Sequence, residues 1–240
     1  GQAKNEVIDY NCASISNKLV SKYPSIQVSE YLRILLITRF NYLRIMIIAK
    51  RDHKVDSVRI IADTFDANPS VNIVIGDKGN RRKKISRLAD YAFVKALNRE
   101  GAYLSDNKMG TALCFASNVK AFSLREIYYE IRFALSIPVK KVFQTLKRES
   151  YIKKNRIEGH YLYFWFLGVQ KGGGKAGFEM KDFLFELSEK KGLPIILETS
   201  VERNKSIYER YGFEVYHVWS DSGGGKPLWF MVRRVSALDK

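Results

Sequence analysis

Residues 161–169 (Tyr-Leu-Tyr-Phe-Trp-Phe-Leu-Gly-Val) run almost directly into a glycine-rich turn, Lys171-Gly-Gly-Gly-Lys-Ala-Gly177. That succession constrains the fold more than any other feature of the chain. A run apolar on both alternating faces has no side to give to water, so it reads as a strand in the middle of a sheet. Glycines placed right after it let the backbone take positive φ and come close to a ligand. Met180, Phe183, Leu184 and Leu187 then recur at helical spacing, so the next element is a helix that packs one face back on the sheet. Its first free N–H groups and its positive dipole end point at the glycine turn, a place suited to phosphate. Gly192-Leu-Pro194 ends the helix, and a second strand follows at 193–198. The stretch therefore reads as a strand–helix–strand unit around a phosphorylated ligand.

Three ligand classes fit such a turn to different degrees. A Walker-type phosphate loop would need Ser or Thr at 176 and glycine at 169, where this chain has Ala176 and Val169. The dinucleotide pattern G-x-G-x-x-G is met by Gly172, Gly174 and Gly177, with Glu198 following at ~20 residues as a ribose carboxylate. Only about forty residues come after Glu198, too few for the rest of a doubly wound domain.

The third class is an acyl-coenzyme A. Leu167-Gly168-Val169, the glycine turn, Leu197-Glu-Thr-Ser200, Asn204 and Tyr208-Glu-Arg-Tyr-Gly-Phe-Glu-Val215 resemble the core of the GNAT superfamily of N-acetyltransferases. In that family a strand ending in L-G-V runs into [R/Q]-x-x-G-x-[G/A], and Lys171, Gly174 and Ala176 hold the three motif positions here. The later N-x-x-x-Y-x-x-x-G-F is matched by Asn204, Tyr208, Gly212 and Phe213. The chain departs from the pattern in having Lys171 for the usual Arg or Gln, and in a shorter connection from Val169 to the glycines. Lysine brings charge to a pyrophosphate without the fork geometry of arginine.

The resemblance implies an α/β (α+β) fold: a mixed, mostly antiparallel sheet with helices on both faces and a splayed parallel strand pair. It implies acetyl-CoA as co-substrate, held by Leu167, Gly168, Val169, Lys171, Gly172, Gly173, Gly174, Lys175, Ala176, Gly177, Asn204 and Tyr208. It also implies acetyl transfer by direct attack of a primary amine, from a small-molecule or peptide acceptor. Tyr208 stands at the position that faces the coenzyme sulfur, and a phenol with pKa near ~10 suits a general acid. Glu198 ends the second strand and reads either as a base facing the cleft or as an ion-paired carboxylate.

Composition bounds the alternatives. With 46% hydrophobic residues in 240, the chain fills a sizeable core. No apolar run approaches the ~20 residues of a membrane span, and residues 1–20 show no basic-then-apolar leader. The expected setting is cytoplasmic, with no membrane partner. Cys12 and Cys114 read as reduced thiols, His160 before the central strand reads as structural rather than catalytic, and the isolated His53 and His217 give no metal-ligand spacing. A net charge of +16 attracts polyanions. The alternative function is thus a nucleotide- or nucleic-acid-binding module, in which the glycine turn and the basic helices bind without catalysis. Arg81-Arg-Lys-Lys84 and residues 140–156 lie on amphipathic helices, however, and also read as solvated faces.

Along the chain, 1–44 reads as an extension with a possible helix at 28–40, and 45–240 as the acetyltransferase-like domain. A strand at 43–49 precedes a helix whose inner face is Val58, Ile61, Ala62 and Phe65. After a short piece at 71–75, the basic helix 81–99 turns Ile85, Leu88, Ala89, Ala92 and Phe93 inward. Strands at 102–105 and 111–116 form a hairpin. Ser123-Leu-Arg-Glu126 is a capping box that opens a helical insertion at about 120–156. Its first helix is expected to bury Leu124, Ile127, Tyr128 and Ile131, and its second Val139, Val142, Phe143 and Leu146. Residues 214–219 and 227–235 close the chain as a hairpin.

Overall fold

The computed structural model describes residues 46–76, 79–220 and 226–236. The chain divides into two units, Gly1–Ile45 and Met46–Lys240, and everything described lies in the second. The expected helix at 28–40 falls outside the described residues, as do 43–45 of the first strand and most of the turn before the last.

The elements are β1 (Met46–Ile48), α1 (Lys54–Thr64), α2 (Pro69–Ile75), α3 (Arg81–Leu97), β2 (Ala102–Ser105), β3 (Gly110–Ala116), α4 (Leu124–Ala134), α5 (Val139–Lys154), β4 (Leu162–Val169), α6 (Ala176–Lys191), β5 (Ile195–Thr199), α7 (Glu202–Arg210), β6 (Glu214–Trp219) and β7 (Leu228–Arg233). Among the described residues, seven strands form one sheet in the order β1-β2-β3-β4-β5-β7-β6. Every pairing is antiparallel except β4 with β5.

The parallel pair is short, with only Leu162↔Ile195 and Tyr163↔Ile196 in register. Beyond them β4 stays on β3 as far as Val169, while β5 stays on β7 as far as Thr199. The two strands therefore splay and leave a gap in the middle of the sheet. The β3–β4 register slips so that Leu113 faces Phe166 and Cys114 faces Phe164, leaving Trp165 as the extra residue of a bulge. A bulge re-aims side chains, and here Trp165 and Phe166 both pack on one side of the sheet while Phe164 and Leu167 pack on the other.

On the first face, α1, α2, α3 and part of α4 bury Ile60, Ile61, Ile75, Ile85, Phe93 and Phe133 against Leu104, Leu113, Phe166 and Ile196. The expected inner face of the basic helix is all there: Ile85, Leu88, Ala89, Ala92 and Phe93 are buried. On the second face, α6 buries Met180 and Leu184 against Ala112, Leu162, Ile195, Leu197 and Met231, with Phe183 and Leu187 partly covered beside them. Gly192 ends α6 in the left-handed region (φ 63°), as its sequence position requires.

The insertion needs correction. Ser123 does cap α4, accepting from the Glu126 N–H, but the helix is turned away from the expected face. Tyr129 and Phe133 are the buried residues, while Leu124 is 74%, Tyr128 59% and Ile131 53% exposed, and Ile127 is exposed as well. On α5, Arg148 and Ile152 are buried and Val142 is partly covered, but Val139, Phe143 and Leu146 lie outside. The cause is local chemistry. The α4 sequence is apolar around much of its circumference, and the Tyr129 hydroxyl is fixed inward by Lys54, whose ammonium also bonds Asp90. Among the described residues, no helix is long and apolar enough to cross a membrane.

Candidate functional site

The gap between β4 and β5 is flanked by two cavities. The inner one, about 410 Å³, lies on the α6 face and is lined by Phe164, Leu167 and Val169 of β4, Gly174 and Gly177 of the glycine turn, and Asn204 and Tyr208 of α7. The outer one, about 510 Å³, is lined by Thr64 and Pro69 on either side of the α1–α2 connection, Ser200 and Glu202 after β5, and Lys226 and Trp229 at β7. Gly168 of β4 lines neither but stands next to residues of each. Leu167 and Val169 face the inner cavity, whereas a Cβ on Gly168 would come within 2.4 Å of the Thr64 hydroxyl, which lines the outer one. Glycine at 168 thus lets α1 press against β4.

The turn between β4 and α6 is braced from two sides. Gln170 accepts from Arg59 at 2.8 Å and donates to Asp63 at 2.5 Å, both on α1. Asn107 of the β2–β3 turn donates to the Gly173 carbonyl. Gly172 (φ 89°) and Gly174 (φ 60°) take the left-handed backbone that the sequence calls for. The turn's own backbone bonds use the N–H groups of Gly173, Ala176 and Phe178. Among the described residues, those of Gly174, Lys175 and Gly177 have no backbone partner, and the N-cap of α6 carries no side-chain cap. This is the electropositive, donor-lined start of a helix that an anion needs.

Of the residues expected to hold a cofactor, Leu167, Val169, Gly174, Gly177, Asn204 and Tyr208 converge on the inner cavity. Gly168 does not line it, and Ala176 is buried at the start of α6. Lys171, Gly172, Gly173 and Lys175 belong to the turn without lining the cavity. Sequence reasoning missed Phe178, Lys181 and Phe185, one wall of α6, and Ile207 and Tyr211 of α7. The signal was available for α7, since Ile207, Tyr208 and Tyr211 follow Asn204 at helical spacing. Lys181 is the cation of this cavity, its ammonium 5.1 Å from the rings of both Phe185 and Tyr211 and bonded to Asp182.

Tyr208 stands edge-on to Phe164 and tilted to Phe213. Burial pushes its phenol up to about 12, so the hydroxyl keeps its proton throughout the neutral range.

Glu198 is placed elsewhere. Its carboxylate accepts from the Tyr163 hydroxyl at 2.8 Å and from the Arg156 guanidinium at 3.4 Å, and Arg156 also stacks 3.8 Å from the Tyr163 ring. Burial raises the Glu198 pKa against the opposing pull of Arg156 and Tyr163. Tyr163 belongs to the first face of the sheet and Tyr208 to the second, so Glu198 and Tyr208, the two expected catalytic residues, lie toward opposite faces of the sheet. Glu198 lines neither cavity.

No family model and no curated protein matches this sequence. Among solved structures the chain is similar to "histone acetyltransferase HPA2 and related acetyltransferase" from Corynebacterium glutamicum, at 13% identity and TM-score 0.57 over 82% of this chain and 98% of that one. It is similar to a Drosophila melanogaster polyamine N-acetyltransferase at 8% identity and TM-score 0.57, over 80% and 99% of the two chains. It is also similar to arylalkylamine N-acetyltransferase 2 from Aedes aegypti at 14% identity and TM-score 0.51, over 79% and 98%. At such identities the likeness establishes the fold, and the fold is that of the GNAT N-acetyltransferases.

Proposed function

We propose that this chain, which has the GNAT fold, is an N-acetyltransferase that passes the acetyl group of acetyl-CoA directly to a primary amine. The observation that carries the reading is the pair of cavities beside the β4–β5 gap, one lined by Leu167 and Val169 on either side of Gly168 and the other by Thr64, which packs against Gly168. A cofactor approaching from the α6 side and an amine approaching from the α1 side would meet there without crossing.

The inner cavity fits coenzyme A in kind. The N–H groups of Gly174, Lys175 and Gly177, with Lys181, offer donors and charge to a diphosphate. Asn204 offers both a donor and an acceptor to an amide-bearing arm, and Phe164, Leu167 and Phe178 give it apolar walls. The thioester, when bound, supplies an activated acyl carbon. Backbone N–H groups of β4 beyond Tyr163, where the ladder to β5 ends, would polarise its carbonyl, and holding the two reactants together would supply much of the rate.

As the nitrogen–carbon bond forms and the carbon–sulfur bond breaks, the sulfur needs a proton and the amine must lose one. Full transfer from a phenol at about 12 to a thiolate whose acid lies near ~8.5 runs uphill. Tyr208 would therefore donate to the sulfur while taking up, directly or through solvent, the proton that the amine loses, so that the phenol ends neutral. Glu198, fixed by Arg156 and Tyr163, ties β5 to β4 on the α1 face.

The test is a side-by-side thermal-shift titration with acetyl-CoA, NAD and an oligonucleotide, followed by thiol release over an amine panel. Acetyl-CoA should stabilise the protein and the panel should contain at least one amine that releases thiol. Stabilisation by NAD or the oligonucleotide alone would replace this reading with the binding-module alternative.

A further inference from the structure

Helix α5 presents solvent with a face of mixed apolar and cationic groups. Val139, Phe143 and Leu146 recur at i, i+4 and i+7, and all three are exposed, Val139 by 71%. Lys140, Lys147 and Lys154, each seven residues from the next and each exposed, run along one side of that stripe. Lys153 is exposed on its other side. Among the described residues, the ammonium groups of these four lysines enter no ion pair and no hydrogen bond. The one carboxylate of the helix, Glu149, is half-buried and acts on Arg148 and Glu198 instead. Helix α4, joined to α5 through residues 135–138, exposes a stripe of its own that includes Leu124 and Ile131, with Arg125 and Glu130 exposed at its edges. Apolar area on this scale marks a surface that meets a partner.

We infer that the outer face of α5, together with the exposed stripe of α4, docks on an anionic lipid surface. Val139, Phe143 and Leu146 would enter the boundary between headgroups and acyl chains, while the lysines lay their stems on the apolar layer and keep their charges among the headgroups. Other occupants answer this face less well. A second copy would bring its own lysines against these, with a net charge of +16 on each chain. A polynucleotide would pair with the lysines and give the aliphatic side chains no cover. An acidic helix would answer both, but placed carboxylates are matched best by the fork of arginine, and every exposed cation of α5 is a lysine. Point charges on flexible stems suit the diffuse field of an anionic membrane. Such attachment lies in the plane of the interface and needs no spanning helix. The lack of a membrane-length apolar run, from which no membrane partner is expected, therefore does not exclude it. The inference does not depend on the transferase reading.

The experiment is co-sedimentation of the full chain with phosphatidylcholine vesicles, made with and without phosphatidylserine. The anionic vesicles should bind at least about tenfold more tightly than the neutral ones, and added salt should weaken that binding. Lys140→Gln and Lys147→Gln should each weaken it roughly fivefold. Phe143→Ser combined with Leu146→Ser should weaken it about tenfold or more, which attraction between a basic chain and an acidic surface would not do by itself. Both side chains are exposed, so the double variant should keep its fold, and urea denaturation checks that it does. The inference is overturned if phosphatidylserine vesicles are not bound, if neutral vesicles bind as well, or if the Phe143/Leu146 variant binds like the parent. It is also overturned if the free chain self-associates and that variant abolishes the association, which would give the face to a second copy.

Discussion

Helices α4 and α6 carry the same kind of message in sequence and end in opposite situations. In α6 the stripe Met180, Phe183, Leu184 and Leu187 packs on the sheet, and Met180 has no exposed surface at all. In α4 the stripe Leu124, Ile127, Tyr128 and Ile131 has equally good helical spacing and lies outside. Periodicity shows that a helix has an apolar face; it does not say what covers that face. The difference comes from the connections. A short glycine turn joins α6 to a central strand and folds it back on the sheet, whereas α4 lies in an insertion whose orientation is set by one tyrosine bonded to Lys54 and by Glu126 bonded to Arg99.

The comparison can be broken most directly at Met180. Replacing a fully buried methionine with alanine removes packing and leaves a cavity, at a cost of about 3 kcal/mol. The same change at Leu124 should cost less than about 0.5 kcal/mol. Urea denaturation of the two variants beside the parent measures both, and similar losses would mean that the α4 face is covered after all.

A second contrast concerns two tyrosines. Tyr208→Phe should lower kcat for thiol release about a hundredfold while leaving the KM for acetyl-CoA within about twofold, because it removes one hydroxyl from the inner cavity and little area. Tyr128→Phe, on the exposed stripe, should leave both constants unchanged. A Tyr208→Phe variant with parental kcat would take that phenol out of the mechanism, whatever acetyl-CoA does to the melting temperature.

Legibility follows the same division. The β4 strand, the glycine turn, α6 with its glycine stop, β5 and the Asn204–Tyr208 pair were readable, because each is specified by residues adjacent in the chain and by a backbone conformation that only certain residues adopt. The β2–β3 hairpin and the inner face of α3 were readable for the same reason. The outer cavity was not. Thr64, Ser200 and Trp229 are far apart in sequence, and only closure of the sheet brings them together. Nor could the sequence place Glu198. Its position at the end of β5 is compatible with either face, and the choice was made by Arg156 and Tyr163, groups from the insertion's end and the neighbouring strand.

Glu198 gives a smaller effect, in the pH dependence of stability. Its pKa is raised in the folded state by burial, so between its ordinary value of 4.5 and that raised value the folded chain holds more protons than the unfolded one. Stability therefore falls as pH rises through this window. Glu198→Gln keeps an oxygen for the Tyr163 hydroxyl but cannot ionise. The stability difference between parent and variant should shift in favour of the variant as pH climbs from below 4.5, measured by urea denaturation at a series of pH values. A difference that does not change with pH would mean that Glu198 titrates alike in both states.

The smallest effect tests the insertion alone. Phe143 is 69% exposed on α5, although its spacing with Val139 and Leu146 suggested burial. If the face is open to water, Phe143→Ser removes no packing. It costs only a small difference in helix propensity, so stability should change by less than about 0.5 kcal/mol. Ile152, one face round on the same helix, is 5% exposed and packs with Leu228 and Phe230. Ile152→Ala should cost about 2 kcal/mol or more. The two variants share a helix, a solvent and an assay, so their ratio is insensitive to anything that affects the insertion as a whole. A loss at Phe143 approaching that at Ile152 would show that the exposed stripe is held against something, and the contrast between α4–α5 and α6 would then be one of partner rather than of burial.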